Sequence, residues 1–415
     1  MDLNPTMIAR FLLLAGVAAC TATPGSTPPS MPVPATAAGA AAAATAREPA
    51  LDYLVYVVSE STDDVSLIRF GPDGARVERT FRTGLIPTEI NGPHGVAVTP
   101  DKRHYFVSVG HGTPFGTLWK YTTDGDQLVD RATLGHFPAS LQVSPDGAWV
   151  FVANFNLHGD MVPSSISIVD AAAMLEVARI TTCTMPHGSR FNPAGTKHYS
   201  TCMMDDALVE IDTRTFAVSR HFVVAKGMER GHTGAPAAAA AMPSPSPAAG
   251  AHAGHAAAAP RQALAHDPSC SPTWAESARD GRQVFVACNK SDEIVVIDAE
   301  DWTLARRVST APGVYNLAPS PDGRLLLATN KRDQSVSVFE IATWRELARI
   351  RTARPIVHGV VVSPDNRYAF VSVEGIGAEP GTVEIIDLAA LRSVATVEVG
   401  QQAAGIDFWK TEERP

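Results

Sequence analysis

VFVACNKSDEIVVID, residues 284–298, sets two short runs of β-branched and aromatic residues on either side of a polar reversal. Val, Ile and Phe suit a pleated, largely buried surface, and Asn289, Ser291 and Asp292 supply the backbone states of a tight turn. The phrase is entered through Ala278-Arg279-Asp280-Gly281, a second reversal. The pattern recurs. SPDGAWVFVAN at residues 144–154 repeats the turn and the first run, and related turns return at residues 98–101, 191–195, 319–323 and 362–366. A β-rich run follows each turn. In most copies an alternating run then closes on an acidic residue such as Asp170, Asp212, Asp298, Glu340 or Asp387. A fourth run, as at residues 305–309, completes the unit.

Four short strands per period of roughly 42–48 residues is the signature of a propeller blade. A lone blade cannot bury both of its faces, whereas a ring of blades buries them and leaves only short, protected edges. Six whole units start near His94, Ala139, His187, Pro272, Tyr315 and His358. Three runs open the chain at residues 53–59, 64–70 and 76–82, and one run is left over at 403–409. The leftover run completes the opening blade. The predicted fold is therefore all-β: a seven-bladed β-propeller of four-stranded antiparallel blades over residues 51–410, closed by the C-terminal strand, with a tail at 411–415.

The phrases at 144–154 and 284–298 resemble the YVTN-type repeat propellers, and the resemblance covers about residues 52–410. Related propellers include the haem-binding propeller of cytochrome nitrite reductase, sugar lactonases, surface proteins and the copper propeller of nitrous oxide reductase. The resemblance thus implies the fold and no single function.

The N-terminus reads as an export signal. Arg10 precedes nine apolar residues, 11–19, too few to span a bilayer as a helix. The run ends Val17-Ala18-Ala19-Cys20, which resembles a bacterial lipobox, so residues 1–20 are expected to be a lipoprotein signal with Cys20 lipidated. Thr21 after it resembles an outer-membrane address. Residues 21–50, rich in Ala, Pro, Thr and Ser, read as a disordered tether. The expected location is periplasmic, with membrane contact through the lipid alone and the chain a monomer. A net charge of -9 argues against a nucleic-acid partner; a protein or a small ligand at the channel face is expected instead.

In a propeller, the start of each innermost strand and the end of the next strand converge near one mouth of the central channel. Three innermost strands begin with His in one register: Pro93-His94-Gly95, Pro186-His187-Gly188 and Val357-His358-Gly359. Imidazoles aimed at one axis suit a transition metal or a haem; otherwise each hydrogen-bonds to a neighbouring loop. Apart from Cys20, the cysteines are Cys183, Cys202, Cys270 and Cys288, all in the fourth and fifth units beside His187, Met185 and Met203. One reading pairs them within hairpins as disulfides, Cys183 with Cys202 and Cys270 with Cys288, as an exported protein favours. The other makes Cys202, Cys288, Met185 and Met203 soft ligands beside His94, His187 and His358, for which copper is the favoured ion. The two readings can coexist.

An insert at 226–266, rich in Ala, Pro and Gly, reads as flexible and carries His232, His252, His255 and His266 as further candidate ligands. Trp274, Tyr315 and Glu374 also fall near the channel. The sequence lacks a G-x-S-x-G elbow, H-E-x-x-H, a P-loop and C-x-x-C-H, which disfavours conventional hydrolases, nucleotide enzymes and covalent haem. The expected function is metal binding at the channel mouth. The alternatives are a metal- or haem-dependent oxidoreductase using the same pocket, and a ligand-free interaction scaffold with structural disulfides.

Overall fold

The computed structural model describes residues 48–84, 88–111, 115–237 and 268–414. The expected signal, Cys20, nearly all of the tether, and His252, His255 and His266 lie outside them.

The described residues form seven antiparallel sheets, six of four strands and one of five. The innermost strands of blades 1 to 7 are Ala403–Glu412, Pro93–Val98, Pro138–Val143, Pro186–Phe191, Pro272–Ser277, Val314–Pro319 and Ile356–Val362. Blade 1 is the composite one. Ala403–Glu412 pairs with Asp52–Ser59, placing Tyr56 opposite Asp407 and Val57 opposite Ile406, and Asp64–Gly71 and Gly74–Arg82 complete the sheet. The C-terminal closure expected from the strand count is the one observed.

Strand periodicity explains how the blades hold together. Leu54, Tyr56 and Val58 point one way and pack with Val96, Val98, Tyr105 and Val107 of blade 2. Tyr53, Val55 and Val57 point the other way and pack with Phe370, Val383 and Ile385 of blade 7. The strand is buried on both faces. Outer strands such as Gly74–Arg82 instead alternate half-buried and exposed residues. The core therefore consists of apolar layers between consecutive blades rather than one central mass.

Left-handed residues make the reversals between second and third strands, among them Asp63, Asp206 and Asp292 with φ of 63°, 46° and 58°. Their carboxylates tie down the segment that leads into the next blade. Asp63 accepts from Thr83 Oγ1 and the backbone N–H groups of Asn91 and Gly92. Asp206 accepts from the N–H groups of Ser269, Cys270 and Ser271, and Asp292 from that of Gly313.

Both expected disulfides are present, Cys183–Cys202 and Cys270–Cys288, with Cα–Cα separations of 5.7 and 4.6 Å. The second ties a hairpin of blade 5, as expected. The first does not stay within one blade: Cys183 lies on Leu175–Thr184, the outer strand of blade 3, and Cys202 on Lys197–Cys202 of blade 4. The insert also begins differently from its flexible reading. Arg230–Thr233 forms a fifth strand on Ala217–Val223, the outer strand of blade 4.

One core residue breaks the pattern. His198 is fully buried between Phe151 and Phe191, with ring centroids 4.6 and 4.8 Å away, and neither ring nitrogen has a hydrogen-bond partner among the described residues. Burial, then the charge of Arg190, pushes its pKa down to about 3.

Two outcomes are expected from this architecture. Ending the chain before Ala403 leaves blade 1 without its inner strand, and cooperative unfolding is lost; an unchanged melting profile would show that closure contributes nothing. His198→Leu, which removes an unsatisfied buried group, stabilises the fold by about 1 kcal/mol at pH 8. The gain grows as pH falls from 6.5 towards 3, because there the unfolded chain takes up a proton that folded His198 refuses. Urea unfolding at pH 8 and pH 5 reads both.

Candidate functional site

The mouth of the channel is built by one backbone device repeated around the ring. Gly92, Phe137, Met185, Ser271, Gly313 and Gln402, with φ between 47° and 77°, each stand two residues before a residue at the axis. Those axial residues are His94, Ala139, His187, Thr273, Tyr315 and Ala404, and His358 completes the tier from blade 7. The glycine after each His is forced by its neighbour. A Cβ on Gly95 would come within 2.5 Å of the Ala139 carbonyl, and one on Gly188 within 2.5 Å of that of Thr273.

The three expected imidazoles meet. The ring of His94 lies 5.5 Å from that of His358 and 6.3 Å from that of His187. His187 Nδ1 donates to the Thr273 carbonyl at 2.8 Å, so its Nε2 is left as an acceptor. That Nε2 is 3.1 Å from the Tyr315 hydroxyl, and His358 Nε2 is 3.4 Å from the same oxygen. Burial, then the charge of His94, lowers the His187 pKa to about 3. Burial, then Lys331, His94 and His187, holds His358 well below its ordinary value. Both are therefore neutral at pH 7, the form in which imidazole binds metal. Burial, with Glu374 and Glu60, pushes the Tyr315 hydroxyl up.

A second tier follows the ends of the second strands. His94 Nδ1 is 2.7 Å from Glu60 Oε2, and His111 Nε2 is 2.6 Å from Glu60 Oε1. Burial alone would raise the Glu60 carboxyl; the charges and hydrogen bonds of His94 and His111 outweigh it and hold it at about 2. Lys331 Nζ donates to Glu374 at 3.0 Å and sits 3.9 Å above the Tyr315 ring. Glu374, expected near the channel, is thus part of the cluster, 3.9 Å from His358 Nε2.

Other expected ligands do not join it. Cys202 and Cys288 are bonded in disulfides and lie in apolar layers, with Ala207 and Val209 and with Phe222 and Val286 respectively. A sulfur so bonded has no thiolate to offer, which corrects their reading as ligands. Met185 and Met203 pack with Phe137 and Phe155, together with Met161 and Met204, so a methionine-rich cluster borders the imidazoles rather than entering their ring. His232 lies on the outer edge of blade 4. Among the described residues no three His, Cys, Asp or Glu side chains already close around one point; the Tyr315 hydroxyl stands between His187 and His358. Glu60, His111 and Lys331 were not singled out from sequence, although each lies one or two residues past a second strand, where the topology converges.

The cavity bounded by His94, His187, His358 and Asn316 measures about 30 Å³. That is space for an ion or one or two waters, and far below the roughly 300–1,000 Å³ of organic-ligand pockets. Below it, Arg190 stacks on Trp274 at 4.4 Å and pairs with Glu276 at 3.0 Å, forming a wall shared with a second cavity further along the channel.

No protein-family model matches the chain, and no curated protein sequence matches it. Solved structures do. A periplasmic gluconolactonase of Pseudomonas aeruginosa superposes with a TM-score of 0.62 at 18% identity, covering 86% of this chain and 99% of that one. A putative 6-phosphogluconolactonase of Bacteroides fragilis gives 0.60 at 12% identity over 86% and 98%. Hydrazine synthase of Kuenenia stuttgartiensis gives 0.54 at 17% over 74% and 80%. At these identities the likeness establishes the propeller fold alone.

Tyr315→Phe removes one hydroxyl and leaves His187 Nε2 buried without its partner. The variant is expected to lose about 1–3 kcal/mol in urea unfolding at pH 7. An unchanged midpoint would mean that the hydroxyl does not hold this cluster together.

Proposed function

We propose that the chain is an exported, lipid-anchored propeller that binds one transition-metal ion, copper favoured, at the channel mouth through His94, His187 and His358. The observation that carries this reading is the direction of the imidazoles. The Nδ1 atoms of His94 and His187 are engaged by Glu60 and the Thr273 carbonyl, as the outer partners of metal-binding imidazoles commonly are. Nε2 of His187 and Nε2 of His358 are directed at the Tyr315 hydroxyl, the position an entering ion would take or share with the phenol oxygen. Imidazole donors and the order of divalent affinities favour copper over zinc or nickel. The bordering methionine cluster adds polarisable thioethers at the approach. A cavity of about 30 Å³ beside His94, His187 and His358 is room for an ion or a water or two. Two disulfides support export to an oxidising compartment.

The second reading, a scaffold stapled by disulfides, rests on Cys183–Cys202, which ties blade 3 to blade 4, and Cys270–Cys288, which ties a hairpin of blade 5. Metal analysis decides. The full chain, exported and purified without a histidine tag, is expected to bind one tight equivalent of Cu(II), lost in His187→Ala/His358→Ala and weakened roughly 10–100-fold in Glu60→Gln. Less than about a tenth of an equivalent, or equal binding by the double variant, overturns the metal reading and leaves the scaffold.

A further inference from the structure

The edge of blade 4 carries a second pair of imidazoles, away from the channel. On the ribbon formed by Ala217–Val223 and Arg230–Thr233, His221 stands directly opposite His232. Directly opposed residues of an antiparallel pair have Cβ atoms about 4.5–5.5 Å apart. Here the two rings lie 4.9 Å apart and within 12° of parallel. His221 Nδ1 donates to the Gly234 carbonyl at 2.8 Å, which fixes the ring and leaves Nε2 as its free donor atom. His232 is exposed at the surface.

The ribbon is held from the side of blade 5. Trp302 Nε1 donates to the His221 carbonyl at 2.9 Å. Gly231 packs so closely on Trp302 that a Cβ there would meet its ring at 2.5 Å. Arg307 pairs with Glu229 at 2.6 Å and donates to the Val224 carbonyl, fastening both arms. The two rings are thus presented by a rigid backbone, and a ligand would not have to order it.

We propose that His221 and His232 form a two-imidazole chelate for a divalent late transition-metal ion such as Ni(II), Zn(II) or Cu(II), with water in the remaining positions. Nitrogen ligands bind such ions at about 2.0–2.1 Å, so the exposed His232 ring turns out of the stack to bring a nitrogen within about 4 Å of His221 Nε2 around one ion. Burial, opposed by the Gly234 bond, lowers the His221 pKa, which keeps that ring in its binding form at neutral pH. The site is independent of the channel: it shares no residue with the tier of His94, His187 and His358, and it stands or falls separately from the proposed function.

The test uses the full chain without a histidine tag, carrying His187→Ala/His358→Ala and Ala at His252, His255 and His266, titrated with Ni(II) by calorimetry. One bound equivalent is expected, and it disappears when either His221→Ala or His232→Ala is added, with metal-free melting temperature unchanged for His232→Ala. In the otherwise unaltered protein, His221→Ala/His232→Ala removes this equivalent and keeps the tight copper of the channel. No binding in the first background, or an equivalent that survives both substitutions, overturns the proposal. An equivalent lost only with His252, His255 and His266 assigns it to the insert and also overturns it.

Discussion

Burial of the second strand of each blade on both faces is the constraint on which the whole molecule rests. Side chains of Asp52–Ser59 divide by parity between blade 7 and blade 2, so neither layer is complete until both neighbours are in place. A linear stack would leave one such layer open at each end. The ring, closed by Ala403–Glu412, removes both openings at once and fixes the radius at which seven innermost strands face one axis. The close fit at Gly95 and Gly188 follows, since adjacent inner strands press a carbonyl against the residue after each axial His.

That convergence produces an electrostatic arrangement no single blade could hold. Five blades contribute Glu60, His94 and His111, His187, Tyr315 and Lys331, and His358 and Glu374. Charge is distributed in pairs at the rim: Glu60 between two imidazoles and Lys331 against Glu374. The centre is left to His187, His358 and Tyr315, all driven by burial towards neutrality. A neutral donor cluster inside a ring of compensated charges welcomes a cation better than an already protonated one would.

The fold was legible because turns and strand runs repeat at a fixed period, and a repeat of that length leaves little choice of architecture. The axial histidines were legible for the same reason: a shared register after Pro or Val marks one position in every blade. Glu60 and Lys331 escaped because the converging position past the second strand is occupied by a different residue in each blade, so no repeat draws attention to it. The boundary-crossing course of Cys183–Cys202 escaped because Cys183 precedes the inner strand of blade 4 in sequence while still belonging to the outer strand of blade 3. His221 gave no signal at all, since its meaning depends on His232 pairing across a fifth strand that the insert's composition conceals.

The position of the two sulfur bridges has a consequence for chain integrity. One closes before the insert and the other after it, so neither spans it. A protease cutting within residues 238–267 would produce two polypeptides with no covalent link. The first piece nonetheless carries three strands of blade 1 and the second carries the fourth, so the fragments remain clasped at two seams, blade 4 against blade 5 and the shared sheet of blade 1. Such a nicked molecule is a non-covalent heterodimer that migrates as two bands under denaturing, non-reducing conditions and as one species in native solution.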